Sequence, residues 1–163
     1  HWFEPVRDMP HLQKQLRLTR DDVSFLRDNL IYYLKKAKGA ASSIYNSAIF
    51  NKLITSFSLN NFDIAYNNLL HNKRWPVHCC AGERMAVMYP DGRLAACELR
   101  EEAVDIKKVN YNIAEALQLA QIKKVREDIS RHVCDCTHGC FIPTSVRYSP
   151  AELIKIFGKS CFR

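Results

Sequence analysis

The first clear pattern of apolar and polar positions predicts a helix over residues 20–37. Thr19 stands three residues before Asp22, which is the spacing of an N-terminal capping box. Apolar side chains then recur every three or four residues, as on one face of a helix: Val23, Leu26, Leu30, Tyr33 and Leu34. We expect this helix to end near Gly39.

The next stretch predicts two further helices, over residues 41–56 and 60–71. The asparagine-rich residues Leu59, Asn60 and Asn61 indicate a connector between them, since asparagine favours turns. Before these helices, residues 1–7 form a short apolar and aromatic run followed by Pro10, which predicts a strand and a loop.

A different pattern begins at residue 76. Residues 84–89 and 93–99 predict two strands joined by Pro90, Asp91 and Gly92, where proline presets the turn and glycine accepts a positive φ. Asn112 then caps a predicted helix to about residue 131. Ser149 and Pro150 begin a last helix, which we expect to end at Gly158.

The chain of 163 residues carries a net charge of +7, and its basic residues are scattered rather than arranged in a stripe. That distribution argues against nucleic-acid binding. There is no apolar run of about 18 residues and no signal peptide, so we expect a cytoplasmic protein without a membrane span. The chain starts at His1 rather than Met, from which we expect a piece of a longer polypeptide.

The 7 cysteines favour metal or redox chemistry. Their odd number and uneven spacing do not fit a secreted disulfide scaffold, which is the least favoured alternative. Cys134, Cys136 and Cys140 fall within seven residues, and Cys80 and Cys97 flank the predicted hairpin. Thiolates suit either zinc or an iron-sulfur cluster. The spacing departs from the paired C-x2-C knuckles of zinc ribbons and so favours a cluster.

The segment CAGERMAVMYPDGRLAAC, from Cys80 through Gly92 to Cys97, and the later segment CDCTHGC together resemble the SPASM/twitch domain of radical S-adenosylmethionine (SAM) enzymes. This resemblance covers residues 76–145 closely. The shorter twitch form fits better, because the loop has three thiols rather than the four of a full SPASM domain and Cys161 stands alone. Residues 1–75 resemble, more loosely, the end of the radical SAM barrel and its connector.

The resemblance implies that Cys80, Cys97, Cys136 and Cys140 bind one auxiliary 4Fe-4S cluster, with Cys134 as the leading substitute. Cys79 and Cys161 are expected not to be ligands. The parent enzyme, an oxidoreductase or maturase, would bind SAM and a second 4Fe-4S cluster in an N-terminal barrel of the same chain, and would act on a peptide or small-molecule substrate. The C-x3-C-x2-C triad of that barrel is absent here, so the piece in hand should be inactive alone.

These arguments predict an α+β fold in two parts. Residues 1–75 would be a helical segment continuing from an incomplete (β/α) barrel. Residues 76–163 would be a small cysteine-rich domain with a β-hairpin and helices, which binds the cluster. A non-enzymatic module stabilised by zinc is the competing prediction.

Overall fold

The computed structural model describes residues 18–37, 48–71, 74–133 and 137–161. The chain divides into two compact units. The first, here called the helical unit, comprises residues 18–37, 48–71, 74–76 and 137–161 of the described chain, and the second, the sheet unit, comprises residues 77–133. These two units differ from the predicted parts, residues 1–75 and 76–163. The helices at the end of the described chain belong to the same unit as the first helices.

Helix α1, Arg20–Ala37, begins and ends where the sequence predicts. Its capping box is complete: the Asp22 N–H donates to Thr19 Oγ1, and the Thr19 N–H donates to Asp22 Oδ2 at 2.8 Å. The Thr19 hydroxyl also donates to Asp22 Oδ2, at 2.7 Å. This bond, and after it the one from the Thr19 N–H, lowers the pKa of Asp22. The two residues satisfy main-chain donors that the first helical turn leaves without partners.

Helix α2, Ala48–His71, is one continuous helix, so the predicted connector at residues 59–61 is wrong. Its buried face runs directly through this region, with Leu59, Phe62 and Tyr66 in the core. Asn60 is also buried, and its Nδ2 donates to Glu152 Oε2 at 3.2 Å. Packing and a buried hydrogen bond thus override the local turn preference of asparagine.

Helices α5, Phe141–Arg147, and α6, Pro150–Cys161, pack against α2. The start of α6 was predicted, and the Glu152 N–H donates to Ser149 Oγ at 3.4 Å. Its predicted end at Gly158 is wrong, since the helix continues to Cys161 and the Ser160 hydroxyl donates to the Ile156 carbonyl. Helix α5 was not predicted. It contributes three residues to the core: Phe141, Ile142 and Val146.

The sheet unit contains three short antiparallel strands in sequence order: β1, Val87–Met88; β2, Arg93–Ala95; and β3, Ala103–Asp105. The predicted hairpin is confirmed as β1 and β2, with Val87 opposite Ala95. Gly92 closes the turn at φ +90°, and its N–H donates to the Tyr89 carbonyl at 3.0 Å. A side chain would be strained at this φ, which explains the glycine.

After β3 comes a 3-10 helix, Ile106–Val109, and the predicted helix over 112–131 then divides into α3, Ile113–Ala116, and α4, Ala120–Ser130. The cap is confirmed, because Asn112 Oδ1 accepts from the Glu115 N–H. The single long helix is wrong, since Leu119 is extended at ψ 154°. This break turns Ile122, Val125 and Ile129 of α4 into the core.

Over the residues that the structure describes, the fold is therefore α+β, with helices and a small antiparallel sheet. The predicted strand at residues 1–7 and the start of the predicted helix at residue 41 lie outside the described residues. Among the helices that the structure describes, none is both long and apolar enough to cross a membrane.

Candidate functional site

Cys80 lies at the start of a tight loop in the sheet unit and is 3% exposed. Its carbonyl accepts hydrogen bonds from the N–H groups of Glu83, Arg84 and Met85, at 3.1, 2.9 and 3.2 Å. The Gly82 N–H donates to the Met85 carbonyl at 2.7 Å. The loop therefore folds back on the Cys80 main chain and fixes the position from which the thiol extends.

Gly82 brings this loop against the strand that leads to Cys97. It has φ +74°, and a Cβ built on it would lie 3.1 Å from Ala96 Cβ and 3.2 Å from Ile122 Cγ2. At these distances the neighbouring atoms would have to shift by a few tenths of an ångström, and the positive φ would strain any other residue. The close approach places the Cys80 loop beside the residue that precedes Cys97.

Cys97 follows β2 and is 6% exposed. The Leu99 N–H donates to Cys97 Sγ with an N–S distance of 3.5 Å, and the Arg100 N–H donates to the Cys97 carbonyl at 3.3 Å. An N–H donor near sulfur stabilises negative charge on it. The turn after Cys97 thus directs a main-chain donor at its sulfur.

Arg100 joins this turn to helix α4 through an ion-pair network. Its guanidinium donates to both carboxylate oxygens of Glu102, at 3.0 and 2.8 Å, and to Asp128 Oδ2. Lys124 Nζ lies 3.1 Å from Glu102 Oε1. The hydrogen bond from Arg100 lowers the pKa of Glu102 to about 2, and the same bond raises the pKa of Arg100.

Three members of the network, Arg100, Glu102 and Lys124, also line a polar cavity of about 470 Å³, together with Leu99 and Glu101. Because Leu99 and Arg100 belong to the turn that holds Cys97, this cavity lies beside the thiol-bearing segment. The sequence gives no signal for the Leu99 contact, since a main-chain donor carries no residue preference.

Cys140 belongs to the helical unit, where it is the exposed residue preceding α5. Its N–H donates to Nδ1 of His138 at 3.3 Å. The His138 ring is 3% exposed and meets Phe141 edge-on, with ring centroids 4.7 Å apart. This buried histidine therefore holds the main chain at Cys140 through one hydrogen bond.

The two remaining candidate ligands, Cys134 and Cys136, lie outside the described residues. Within ranges 18–37, 48–71, 74–133 and 137–161, no three His, Cys, Asp or Glu side chains form a group that could hold a metal ion. Cys79 is half-buried, next to Cys80. The structure therefore describes Cys80 and Cys97 within one unit and Cys140 in the other.

The thiol environment fits a soft metal or a cluster, since Cys80 and Cys97 are buried and Cys97 Sγ accepts a main-chain hydrogen bond. No protein-family model, curated protein or solved structure matches the chain. The case for a function therefore depends on the motif residues and on the geometry that surrounds them.

Proposed function

We propose that the chain is the C-terminal part of a radical SAM enzyme and that its thiols bind an auxiliary 4Fe-4S cluster. The main support is the pair Cys80 and Cys97. Both are buried, their segments meet through Gly82, and Leu99 donates a hydrogen bond to the sulfur of Cys97. Buried thiols with main-chain donors are suited to a cluster, whose potential depends on such hydrogen bonds and on burial.

Two further thiols would complete the ligand set. Our first choices are Cys136 and Cys140, with Cys134 as the substitute, because these residues match the cysteine loop of the twitch domain. Gly139 and the buried His138 precede Cys140 and restrict its main chain. Such restriction lowers the entropy lost when a ligand is fixed on a metal site.

In the parent enzyme the cluster would exchange an electron with the reaction centre or orient the substrate. The polar cavity beside Cys97 supports the second role, because Arg100, Glu102 and Lys124 line a space of about 470 Å³ next to the thiol-bearing turn. SAM and a second 4Fe-4S cluster would bind in the N-terminal barrel, and residues 1–75 would connect to it. Cysteine ligands of this kind persist in a reducing compartment, so we propose a location in the cytoplasm.

Elemental analysis of protein purified without oxygen tests the proposal. We expect about four iron and about four acid-labile sulfide per chain. One zinc per chain without iron or sulfide would overturn the cluster proposal. That result would support the zinc-stabilised binding module, in which the same thiolates bind zinc. A single titratable thiol per chain in denaturant without reductant would overturn both, since three disulfides use six of the 7 cysteines, and would support a disulfide-bonded protein.

A further inference from the structure

Arg100 connects the turn after Cys97 to the rest of the sheet unit through both its main chain and its side chain. Its N–H donates to the Cys97 carbonyl at 3.3 Å, which closes the turn around Leu99. Its guanidinium donates to Asp128 Oδ2 and to both carboxylate oxygens of Glu102, at 3.0 and 2.8 Å. The Leu99 N–H, which lies 3.5 Å from Cys97 Sγ, is therefore next to an anchored residue.

Both partners of the Arg100 guanidinium belong to ordered elements of the sheet unit. Asp128 lies on helix α4, next to the buried Ile129. Glu102 immediately precedes strand β3, which pairs with β2. The side chains of Arg100, Glu102 and Asp128 are 21%, 18% and 21% exposed. Water therefore competes less with these bonds than it does with ion pairs at the surface.

The hydrogen bond to sulfur is the weaker of the two constraints on the turn. Sulfur is a weak acceptor, so its bond to the Leu99 N–H contributes little to holding the main chain in place. A planar guanidinium that binds two carboxylates contributes more, because the geometry of its donors fixes their direction. The direction of the Leu99 N–H thus depends mainly on Arg100.

We propose that Arg100 is a positioning residue that keeps the Leu99 N–H directed at Cys97 Sγ and thereby sets the potential of the auxiliary cluster. The effect on a cluster rests on the proposed function, whereas the placement of the donor concerns this chain alone. Reduction adds negative charge to a cluster and its thiolate ligands, and an N–H donor stabilises that charge. Loss of the donor should therefore make the cluster harder to reduce.

Three variants separate the position of the donor from the charge near it. Arg100→Lys keeps the charge but loses the planar group that binds two carboxylates at once. Asp128→Asn weakens the same anchor at helix α4 with Arg100 unchanged, and it tests the proposal even where Arg100→Lys does not fold. Lys124→Gln is the matched control. It removes a charge 3.1 Å from Glu102 Oε1 in the same cavity and leaves the Arg100 anchor intact.

Hydrogen exchange measures the donor directly, by mass spectrometry resolved to single amides on the full 163-residue chain purified without oxygen. We expect the Leu99 N–H to exchange about tenfold faster in Arg100→Lys and in Asp128→Asn, because the turn opens more often. In Lys124→Gln this N–H should exchange at the wild-type rate. Unchanged Leu99 exchange in both anchor variants would overturn the proposal.

A second amide distinguishes a local effect from general unfolding. The Tyr89 N–H donates to the Arg93 carbonyl at 2.8 Å in the hairpin turn, and its exchange should be the same in the wild type and in all three variants. Equal acceleration at Leu99 and Tyr89 would overturn the proposal, since it would mean that Arg100 stabilises the whole sheet unit rather than the donor.

Redox titration of the reconstituted proteins tests the effect on the cluster. In Arg100→Lys, the one-electron equilibrium should shift about tenfold against reduction, which is about 59 mV toward negative potential. Lys124→Gln should shift it by less than about threefold, because the Lys124 side chain is 65% exposed and solvent screens its charge. A wild-type potential in Arg100→Lys would overturn the proposal. Absence of iron from the wild-type protein would instead overturn the proposed function, and the exchange comparison would still decide whether Arg100 positions the donor.

Discussion

The main-chain N–H of Leu99 lies 3.5 Å from Sγ of Cys97 and donates a hydrogen bond to it. The next residue, Arg100, is anchored to Asp128 of helix α4, so the turn that carries this donor is attached to the core of the sheet unit. The orientation of the Cys97 sulfur is therefore set by contacts that extend well beyond the cysteine itself. A cluster ligand benefits from such support, because its hydrogen bonds and burial tune the potential.

Gly82→Ala should destabilise the sheet unit by about 2 kcal/mol. The new Cβ would meet Ala96 Cβ at 3.1 Å, and φ +74° is unfavourable for alanine. Urea unfolding followed by circular dichroism measures the change. Gly158→Ala is the matched control, because this helical glycine has open space around it and the change should stabilise the protein by about 0.5–1 kcal/mol. Equal stability of the two variants would show that the close contact at Gly82 is absent.

Glu102 should make stability depend on acid pH. Its pKa falls from an ordinary 4.5 to about 2 in the folded protein, so its contribution is present above 4.5 and is lost as the pH falls toward 2. A pKa change of this size corresponds to about 3 kcal/mol. Because the side chain is partly exposed, at 18%, and solvent screens the network, we expect a contribution of about 1 kcal/mol.

Urea unfolding at pH 7 and pH 3 tests this dependence. Glu102→Gln should lower stability at pH 7 and reduce the loss between the two pH values. Glu127→Gln, at an exposed position of α4, serves as the control and should leave the pH dependence unchanged. A Glu102→Gln protein with the wild-type pH dependence would contradict the claim that ionised Glu102 stabilises the folded protein.

Asn60→Ala should destabilise the helical unit by about 2 kcal/mol. The change removes the amide that donates to Glu152 Oε2, and Glu152 is only 3% exposed, so water cannot readily replace the donor. Lys155 remains as a second partner of that carboxylate. Asn67→Ala on the same helix is exposed and should change the unfolding free energy by less than about 0.5 kcal/mol. A similar loss for both variants, measured by thermal unfolding, would contradict a special role for Asn60.

The sequence predicts those features that depend on local chemistry. The caps at Thr19, Asn112 and Ser149 and the turn at Gly92 all occur as expected, because each depends on residues a few positions apart. The spacing also identifies Cys80 and Cys97 as candidate ligands, which stays a prediction. These features need no knowledge of the tertiary structure.

The errors arise where distant residues decide the local structure. Asn60 indicated a connector, but Glu152, 92 residues away, keeps it within α2. The break at Leu119 and the short strand β3 depend on packing in the sheet unit. Main-chain donors such as the Leu99 N–H cannot be predicted from a sequence either. The spacing of cysteines therefore identifies candidate ligands but not the hydrogen bonds that would set the potential of a cluster.

The iron content of Cys97→Ala tests the central claim most directly. After anaerobic reconstitution, this variant should contain only background iron and sulfide, because it lacks a buried thiol that we propose as a cluster ligand. Cys161→Ala, treated identically, should retain the full wild-type content. Retention of full iron content in the Cys97→Ala protein would contradict the assignment of Cys97 as a cluster ligand.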